Sequence, residues 1–484
     1  MYAKPNTTTM KITDKKICFG LIVGTRGFFN SKLATEGRKS LIRLIEKLNY
    51  DYVIRPENAT PTQAVETPED AQKCAKLFSD NRDKIDGIIV SLPNFGDEIG
   101  IVRAIHEARL NVPVLVHAFD DENDKVDVAH RRDAFCGKIS VCNNLYQYDI
   151  PFTDTTLHTC KIDGGELEKD ISRFASVCRV VKGLSNARIG AIGARPSAFQ
   201  TMRFSEKLLQ ATGITVIPVD MSEILGAARK IDDNASEVKA KLEEIHEYGK
   251  IPERIPRENI IRQAKFTLAS ENWINANEID AAAFQCWTSI QENYGCATCL
   301  TMSMFGEKLL PSACEVDVCG VVYMYDLALA SGNAAALLDW NNNFAEDRNM
   351  CVCTHCSNYP KSFVKNPIEI SNLDILGATL GEDNCFGAIK GKVAAGPFTF
   401  FRISTDDSLG IIKAYVGEGE YTDDPYNMDG GIAVCRIDEL QELMKFICKN
   451  GFEHHVAMAR GHVAEIIREA TVNYLGWDLY QHGW

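Results

Sequence analysis

The chain has 484 residues, of which 45% are hydrophobic and 24% are charged, an ordinary composition for a globular protein. This length predicts about three domains, and the composition excludes disordered, collagen-like and low-complexity proteins. The net charge of −14 and the lack of a long run of Lys or Arg argue against a nucleic-acid partner.

The first part of the chain alternates apolar runs with amphipathic segments, which is typical of a parallel sheet covered by helices. KICFGLIVG, DGIIVSLP and VPVLVHAF predict buried strands, and KLATEGRKSLIRLIEKLN, EDAQKCAKLFSDNR and GDEIGIVRAIHEAR predict helices. Ligands of such folds bind beyond the carboxyl ends of the strands, so Arg26 and Asn94 are candidate substrate contacts. GTRGFF does not match the dinucleotide fingerprint and no P-loop occurs, so nicotinamide, flavin and ATP chemistry lack their sequence signals. We assign residues 1–170 to this Rossmann-like domain.

A second α/β segment follows. ARIGAIGARP and ITVIPVD predict strands with the helix MRFSEKLLQAT between them. The turn after the first strand contributes Arg195 and Arg203, and the later strand IDAAAFQCW carries Gln285 and Trp287 at its end. We assign residues 171–348 to a second Rossmann-like domain.

The last part of the chain has a different pattern. Gly-rich turns separate the β-rich pieces FGAIKGKVAAGPFTFFRIST, LGIIKAYVGEGEY and GGIAVCRI, which indicates an antiparallel sheet or small barrel over residues 349–484. The predicted fold class is therefore α/β, with two Rossmann-like parallel-sheet domains followed by a β-rich C-terminal domain.

Two stretches carry candidate metal ligands. In PSACEVDVCGVVYMYDLALASGNAAALLDWNNN, Glu315 and Asp317 open an apolar helix and Asp339 ends a short buried strand. Helix capping is the structural explanation for such acids, but ionised carboxylates in so apolar a setting favour a nearby cation. GFEHHVAMARGHVAEI adds His454 and His455. Successive residues on a strand point to opposite faces, so we expect only one of this pair to face a given site. Two carboxylates and one imidazole suit Mn²⁺ or Mg²⁺, and this spacing alone is compatible with hydrolysis or isomerisation.

The segment ACEVDVCGVVYMYDLALASGNAAALLDW closely resembles the metal-binding core of the L-fucose isomerase and L-arabinose isomerase superfamily, and HVAMARGH resembles its C-terminal metal-histidine segment. The resemblance implies a metal-dependent aldose–ketose isomerase in which Glu315, Asp339 and His455 bind Mn²⁺, with Mg²⁺ or Co²⁺ as alternatives. Glu315 and Asp339 would also be the catalytic acid and base, moving a proton between C1 and C2 through a cis-enediol. A small-molecule sugar substrate and a homo-oligomer, hexameric or otherwise based on trimers, are further implications.

The same resemblance bears on the sugar. The chain is shorter than typical L-fucose isomerases, and short members of the superfamily include sulfoquinovose isomerases. Arg195 or Arg203 could bind an anionic group at C6, although a packing ion pair is the alternative for Arg195, and L-fucose-like or D-arabinose-like sugars stay open. His355 follows Asp339 at a distance where L-arabinose isomerases supply another histidine, so it could contact metal or substrate, and a structural role is the alternative. The predicted substrate contacts are Arg26, Asn94, Arg195, Arg203, Gln285, Trp287, Trp340 and His355.

Two other functions remain open at this point. A sugar-binding or regulatory homologue would keep the fold without the chemistry, and a metal-dependent hydrolase would use the same ligands. No stretch reaches the roughly 18 to 20 apolar residues that cross a bilayer. MYAKPNTTTMKITDKK does not resemble a secretory signal, so we expect a cytoplasmic protein without a membrane partner.

The seventeen cysteines are spread along the chain, which favours reduced thiols over disulfides. Cys296 with Cys299, and Cys351 with Cys353 and Cys356, could together supply zinc thiolates. Their irregular spacing argues against a structural zinc site.

Overall fold

A computed structural model describes residues 15–356, 358–365, 367–428 and 430–483. The chain forms two compact units. The N-terminal unit comprises residues 15–182 and 469–476, and the larger unit comprises residues 183–468 and the segment from residue 477 onward. The predicted start of the first domain at residue 1 lies outside the described residues, as does the stretch 1–14 that we compared with a secretory signal. The predicted domain limits after residues 170 and 348 fall inside a helix and a strand, respectively.

The N-terminal unit contains a five-stranded parallel sheet in the order β2-β1-β3-β4-β5. Its central strands are buried along their whole length, which explains their continuous apolar sequences. The strands are β1 (Cys18–Val23), β2 (Asp51–Val53), β3 (Gly87–Leu92), β4 (Val114–Ala118) and β5 (Thr153–Asp154). The helices are α1 (Ser31–Lys47), α2 (Pro68–Asp80), α3 (Glu98–Ala108), α4 (Ala134–Gln147) and α5 (Gly165–Leu184).

The larger unit begins with a second parallel sheet, in the order β7-β6-β8-β9. Its strands are β6 (Arg188–Ile192), β7 (Thr215–Val219), β8 (Ala281–Phe284) and β9 (Ser312–Ala313). Its helices are α6 (Glu206–Thr212), α7 (Met221–Lys230), α8 (Ser236–Tyr248), α9 (Arg257–Ala276), α10 (Ser289–Asn293), α11 (Cys299–Glu307) and α12 (Val318–Ser331). Nearly every residue of α12 is buried, as expected for a helix that is apolar on all sides.

A nine-stranded mixed sheet completes the larger unit, in the order β12-β13-β16-β11-β10-β17-β14-β15-β18. Because β15 also pairs with β16, six of these strands close into a ring, β16-β11-β10-β17-β14-β15, which we call the C-terminal barrel. The strands are β10 (Ala335–Phe344), β11 (Asp347–His355), β12 (Glu369–Asn372), β13 (Phe386–Lys392), β14 (Gly396–Asp406), β15 (Ile411–Tyr421), β16 (Gly431–Arg436), β17 (His455–Arg460) and β18 (Asp478–Gln481). The remaining helices are α13 (Asp374–Leu380), α14 (Leu440–Lys449) and α15 (Ala464–Arg468).

The predicted fold class is confirmed: two parallel-sheet α/β regions precede a β-rich, mostly antiparallel region. One strand differs in detail, because AALLD does not end at Asp339. It continues as β10 to Phe344 and lies in the barrel between β11 and β17. Among the helices of the described residues, none is long and apolar enough to cross a membrane.

Candidate metal centre and active site

Glu315 lies at the carboxyl end of the parallel sheet, in the short link between β9 and α12. Glu315 and Val316 both adopt left-handed backbone conformations, with φ of 54°. The helix itself begins at Val318 and is capped by Asp317, whose side chain accepts a hydrogen bond from the Gly320 N–H at 2.7 Å. The expectation that Glu315 opens the helix together with Asp317 is therefore wrong. Because the chain turns at Glu315, Asp317 caps the helix and the Glu315 carboxylate does not.

Asp339, His355 and His455 come from three adjacent strands of the barrel. Asp339 on β10 is directly opposite His455 on β17, and on its other side it is opposite Thr354 of β11, the neighbour of His355. Neighbouring strands are about 4.8 Å apart, so this register brings the three side chains to one place.

The Glu315 carboxylate meets these three side chains. His455 Nε2 lies 3.6 Å from Glu315 Oε2 and 3.4 Å from Asp339 Oδ1. His355 Nε2 lies 3.6 Å and 3.9 Å from the same two oxygens, and 3.2 Å from His455 Nε2. The three ligands predicted from sequence thus converge, and His355 joins them. We call these four residues the candidate metal centre.

Two oxygens of the candidate metal centre are buried without a hydrogen-bond donor among the described residues: Glu315 Oε2 and Asp339 Oδ1. Leaving an ionised oxygen in this state is costly, unlike the ordinary case in which buried polar atoms are paired. Ligand atoms around a small divalent cation are separated by about 3 to 4 Å, given bonds of roughly 2.1 Å. The distances above match that spacing, so these atoms can hold a metal ion.

Asp317 supports the candidate metal centre from behind. Its Oδ2 lies 2.8 Å from His455 Nδ1, and both side chains are 1% exposed. A proton on Nδ1 donated to this carboxylate leaves the Nε2 lone pair directed at Glu315 and Asp339. Burial raises the pKa of Asp317, but the hydrogen bond and charge of His455 and the charge of Arg402 outweigh it and hold this pKa below its usual value.

Arg402 is a fully buried cation next to this pair. Its Nε donates to Glu453 Oε2 at 2.8 Å, and its Nη1 donates to the Tyr323 hydroxyl at 3.0 Å and to the backbone carbonyl of His455. Arg402 therefore fixes the main chain of β17 at His455 while supplying positive charge beside Asp317.

Trp287 and Cys356 contact the other oxygen of Glu315. Trp287 Nε1 donates to Glu315 Oε1 at 3.1 Å, and Cys356 Sγ lies 3.9 Å from the same atom. Burial and the neighbouring Cys356 thiol raise the pKa of Glu315, and the charges of His355 and His455 oppose this shift. The predicted site residue Trp287 thus orients the carboxylate and borders the centre.

His454 also reaches Asp339, with its Nε2 3.7 Å from Asp339 Oδ1. The expectation that only one of the paired histidines can face the site is wrong, because β17 begins at His455 and His454 precedes it in a bend. The alternation of side chains along a strand does not apply to His454.

The loop after β6 borders the same region. The Phe199 ring packs edge-on against Trp287, with centroids 5.2 Å apart, and against His454 at 5.9 Å. Arg195 Nη1 donates to three backbone carbonyls of the loop, including that of Phe199 at 3.0 Å. Arg203 Nε donates to the Gln200 carbonyl at 2.8 Å. The packing ion pair considered for Arg195 is absent among the described residues, and its contacts are to backbone oxygens.

Gln285 and Trp340 have contacts of their own. Gln285 Oε1 accepts a hydrogen bond from the Ala194 N–H at 3.1 Å, which ties the loop after β6 to the end of β8. Trp340 follows Asp339 on β10 and points to the opposite face, where its Nε1 donates to the Tyr415 hydroxyl at 3.0 Å in the barrel core. The structure does not bring Trp340 to the candidate metal centre.

Arg26 and Asn94 belong to the N-terminal unit, after β1 and β3. Arg26 pairs with Glu98 and donates from Nε to the Gly96 carbonyl at 3.0 Å. Asn94 is fully buried and donates to Thr25 Oγ1 at 2.9 Å. Their predicted substrate contacts stay predictions.

Family profiles match both ends of the sequence. Residues 20–185 match the N-terminal domain of fucose/sulfoquinovose isomerases, and residues 353–482 match the C-terminal domain of L-fucose isomerases. The chain belongs to the fucose and sulfoquinovose isomerase family. The predicted resemblance is confirmed, and so is the predicted enzyme class, an aldose–ketose isomerase.

Individual members of this family are similar over most of their length. A sulfoquinovose isomerase from Priestia aryabhattai is 28% identical over 433 residues, which cover 87% of this chain and 90% of that protein. The sulfoquinovose isomerase from Priestia megaterium has the same identity and coverage. The sulfoquinovose isomerase from Alkalicoccus urumqiensis is 24% identical over 415 residues, covering 85% of this chain and 88% of that protein.

Sequence reasoning missed two residues that support the candidate metal centre. Asp317 looked like a helix cap, and it is one, but its second oxygen also contacts His455. Arg402 could have been identified from the sequence, because it lies in the apolar strand FTFFRIST. A buried arginine needs charged or hydrogen-bonding partners.

Proposed function

We propose that this family member is a metal-dependent aldose–ketose isomerase whose divalent cation is bound by Glu315, Asp339 and His455, with His355 as a fourth ligand. The observation that carries the proposal is the pair of buried carboxylate oxygens without donors, Glu315 Oε2 and Asp339 Oδ1, facing two imidazole nitrogens. Two oxygens and two nitrogens suit Mn²⁺, with Mg²⁺ or Co²⁺ as alternatives.

Glu315 and Asp339 are the proposed acid and base. They move a proton from C2 to C1 of the open-chain aldose through a cis-enediol. A second proton moves from the C2 hydroxyl oxygen to the C1 carbonyl oxygen, which leaves the carbonyl at C2. Glu315, Asp339, His355 and His455 would hold the divalent cation, which would supply Lewis-acid stabilisation of negative charge on the sugar oxygens. Trp287 holds Glu315 in one orientation through its hydrogen bond, and Asp317 holds His455. Asp339 is partly exposed, with 25% of its side chain accessible, so it can reach a substrate.

The proposed substrate is an aldose with an anionic group at C6, such as sulfoquinovose. Support comes from the three relatives named sulfoquinovose isomerase and from the two arginines of the loop after β6. In the hydrogen bonds of the described residues, Arg195 donates from Nη1 and Arg203 donates from Nε. The other N–H groups of each guanidinium can donate to a sulfonate. L-fucose-like and D-arabinose-like sugars are the neutral alternatives.

One experiment tests the chemistry. Metal-stripped protein and protein reloaded with Mn²⁺ are incubated in D₂O with sulfoquinovose, glucose 6-phosphate, L-fucose and D-arabinose, and the products are followed by NMR and mass spectrometry. In the reloaded sample only, we expect ketose formation with deuterium at C1 of the ketose, and deuterium at C2 of the aldose that the reverse reaction regenerates. Full activity without metal would contradict the mechanism, binding without C2 exchange would indicate a regulatory homologue, and a product of changed mass would indicate a hydrolase.

Two arginine variants test the substrate. Arg195→Ala and Arg203→Ala should each raise KM for the sulfonated sugar about 10-fold or more, since hydrogen bonds to charged groups contribute about 1.5 to 3 kcal/mol. KM for a neutral aldose should stay unchanged, and Arg43→Ala, an exposed arginine on α1, is the control. Equal effects on sulfonated and neutral sugars would remove the arginines from sulfonate recognition. A homo-oligomer, hexameric or trimer-based, stays a prediction that sedimentation can test.

A further inference from the structure

Three thiols outside the candidate metal centre meet inside the C-terminal barrel. Cys351 and Cys353 lie two residues apart on one face of β11, and Cys435 on β16 is directly opposite Cys351. The three sulfur atoms all lie within 4.8 Å of one another, and those of Cys351 and Cys353 are 3.9 Å apart. Cys353 and Cys435 are fully buried and Cys351 is 8% exposed, so one edge of this trithiol cluster reaches the surface.

Polar groups surround the trithiol cluster in an otherwise apolar core. The hydroxyls of Tyr359 and Tyr421 are buried, and neither has a hydrogen-bond partner among the described residues. Tyr421 is the residue of β15 opposite Cys435. Burial raises the pKa of Tyr359 well above its usual value, and negative charge at Cys353 or Cys435 adds to this rise. Unpaired buried hydroxyls are costly, and a thiolate is an acceptor that would satisfy them.

A positive charge also lies beside the trithiol cluster. The guanidinium of Arg460 stacks over the Tyr421 ring, 4.8 Å from its centroid. Burial raises the pKa of Cys435 well above its usual value, and the charge of Arg460 acts in the opposite direction. Cysteine binds a metal as the thiolate, so metal binding at this cluster releases protons.

A single buried cysteine is usually a small apolar residue, and Cys178 in the N-terminal unit is such a case. The trithiol cluster differs because three sulfurs converge, hydroxyl donors stand unpaired and a cation is close. We infer that Cys351, Cys353 and Cys435 form a second metal site, separate from the candidate metal centre and selective for a thiophilic divalent cation such as Zn²⁺ or Cd²⁺.

The binding chemistry is a simple exchange. Three S–H bonds break, three sulfur–metal bonds form and three protons leave to solvent. The product carries one net negative charge, which Arg460 offsets. Hard ions such as Mn²⁺ and Mg²⁺ prefer oxygen ligands and do not compete for this site.

Cadmium alone is the probe. The metal-stripped, reduced full-length chain is titrated with Cd²⁺ while the thiolate-to-cadmium charge-transfer absorption is recorded, and X-ray absorption counts the sulfur neighbours of the bound ion. In the wild type we expect one cadmium with oxygen and nitrogen neighbours at the candidate metal centre and a second cadmium with three sulfur neighbours. That ion should be lost in Cys435→Ala and retained in Cys178→Ala, the matched control at another fully buried thiol.

A second set of thiols must be separated from the first, because Cys314 and Cys356 lie close to Glu315 and His355. A three-sulfur cadmium signal that survives in Cys435→Ala, or that disappears in Cys356→Ala instead, overturns the inference. If circular dichroism shows that Cys435→Ala is unfolded, Cys351→Ser at the barrel edge takes its place with the same criteria. The readout needs no sugar turnover, so its failure and the failure of the proposed isomerase activity are distinguishable.

Discussion

The contact between Asp317 and His455 allows the proposed metal site to be tested without touching a ligand. In Asp317→Asn the amide oxygen can still cap α12 by accepting from Gly320 N–H. The amide nitrogen then replaces the oxygen that lies 2.8 Å from His455 Nδ1, and two N–H donors would face each other. The imidazole escapes this clash by moving its proton to Nε2, which is the nitrogen directed at Glu315 and Asp339.

The size of the effect follows from that geometry. A proton on Nε2 must be displaced before a cation can bind, and the buried carboxylate no longer raises the basicity of the imidazole. Loss of such a support costs about 10-fold to 100-fold in metal affinity, or about 1.4 to 2.7 kcal/mol. We expect the Mn²⁺ dissociation constant of Asp317→Asn to rise by that factor, measured by calorimetry and by the electron paramagnetic resonance signal of free Mn²⁺. Raising the Mn²⁺ concentration should restore most of the isomerase activity.

The matched control is Asp220→Asn. Asp220 also caps a helix, α7, by accepting from the Ser222 N–H, and the capping hydrogen bond is kept in both variants. Its Mn²⁺ affinity should equal that of the wild type. If Asp317→Asn is folded and binds Mn²⁺ within about twofold of the wild type, a change below about 0.4 kcal/mol, then His455 does not bind the metal through Nε2 and the reasoning fails.

Three other variants test separate features. Asp326 is fully buried on α12 with no partner for either carboxylate oxygen among the described residues, and burial raises its pKa well above 3.8, so the folded chain keeps a proton that the unfolded chain releases. Above pH 3.8, the free energy of unfolding should therefore fall by up to about 1.4 kcal/mol for each pH unit. Asp326→Asn should remove this contribution in urea titrations between about pH 5 and pH 7. The same pH dependence in the wild type and the variant would contradict the prediction. Trp287→Phe removes the hydrogen bond to Glu315 and should lower kcat about 10-fold, whereas Trp340→Phe, which loses a core hydrogen bond, should lower stability and leave kcat unchanged. Gly137→Ala would place a Cβ 1.5 Å from a backbone carbonyl oxygen and should destabilise the N-terminal unit by about 1 to 3 kcal/mol; an unchanged melting curve would show that the helix can shift freely.

Hydrophobic periodicity was enough to predict the layers of the fold. β1, β3 and β4 are buried on both faces and have continuous apolar sequences. The Gly-rich pieces after residue 350 form β13, which lies outside the barrel ring, and the barrel strands β14, β15 and β16. The pattern could not show that AALLD joins the barrel, because a buried strand has the same apolar sequence in a parallel and an antiparallel sheet.

The candidate ligands were found because the family resemblance fixed their order along the chain, and their convergence needed the structure. The pairing of Asp339 with His455 depends on strand register, which a single sequence does not specify. The same limit hid Cys435, whose partner Cys351 is far away in sequence. His454 was misjudged because strand alternation was extended one residue beyond the start of β17.

Glu315 comes from the end of β9 in the parallel sheet, whereas Asp339, His355 and His455 come from the barrel. A cation held by all four would fasten together two layers of the larger unit that come from distant stretches of chain. Metal binding would then also reduce local unfolding of the link between β9 and α12. Amide hydrogens of this link should exchange with solvent more slowly when the ion is bound. A protease should cleave the link only after the ion has been chelated.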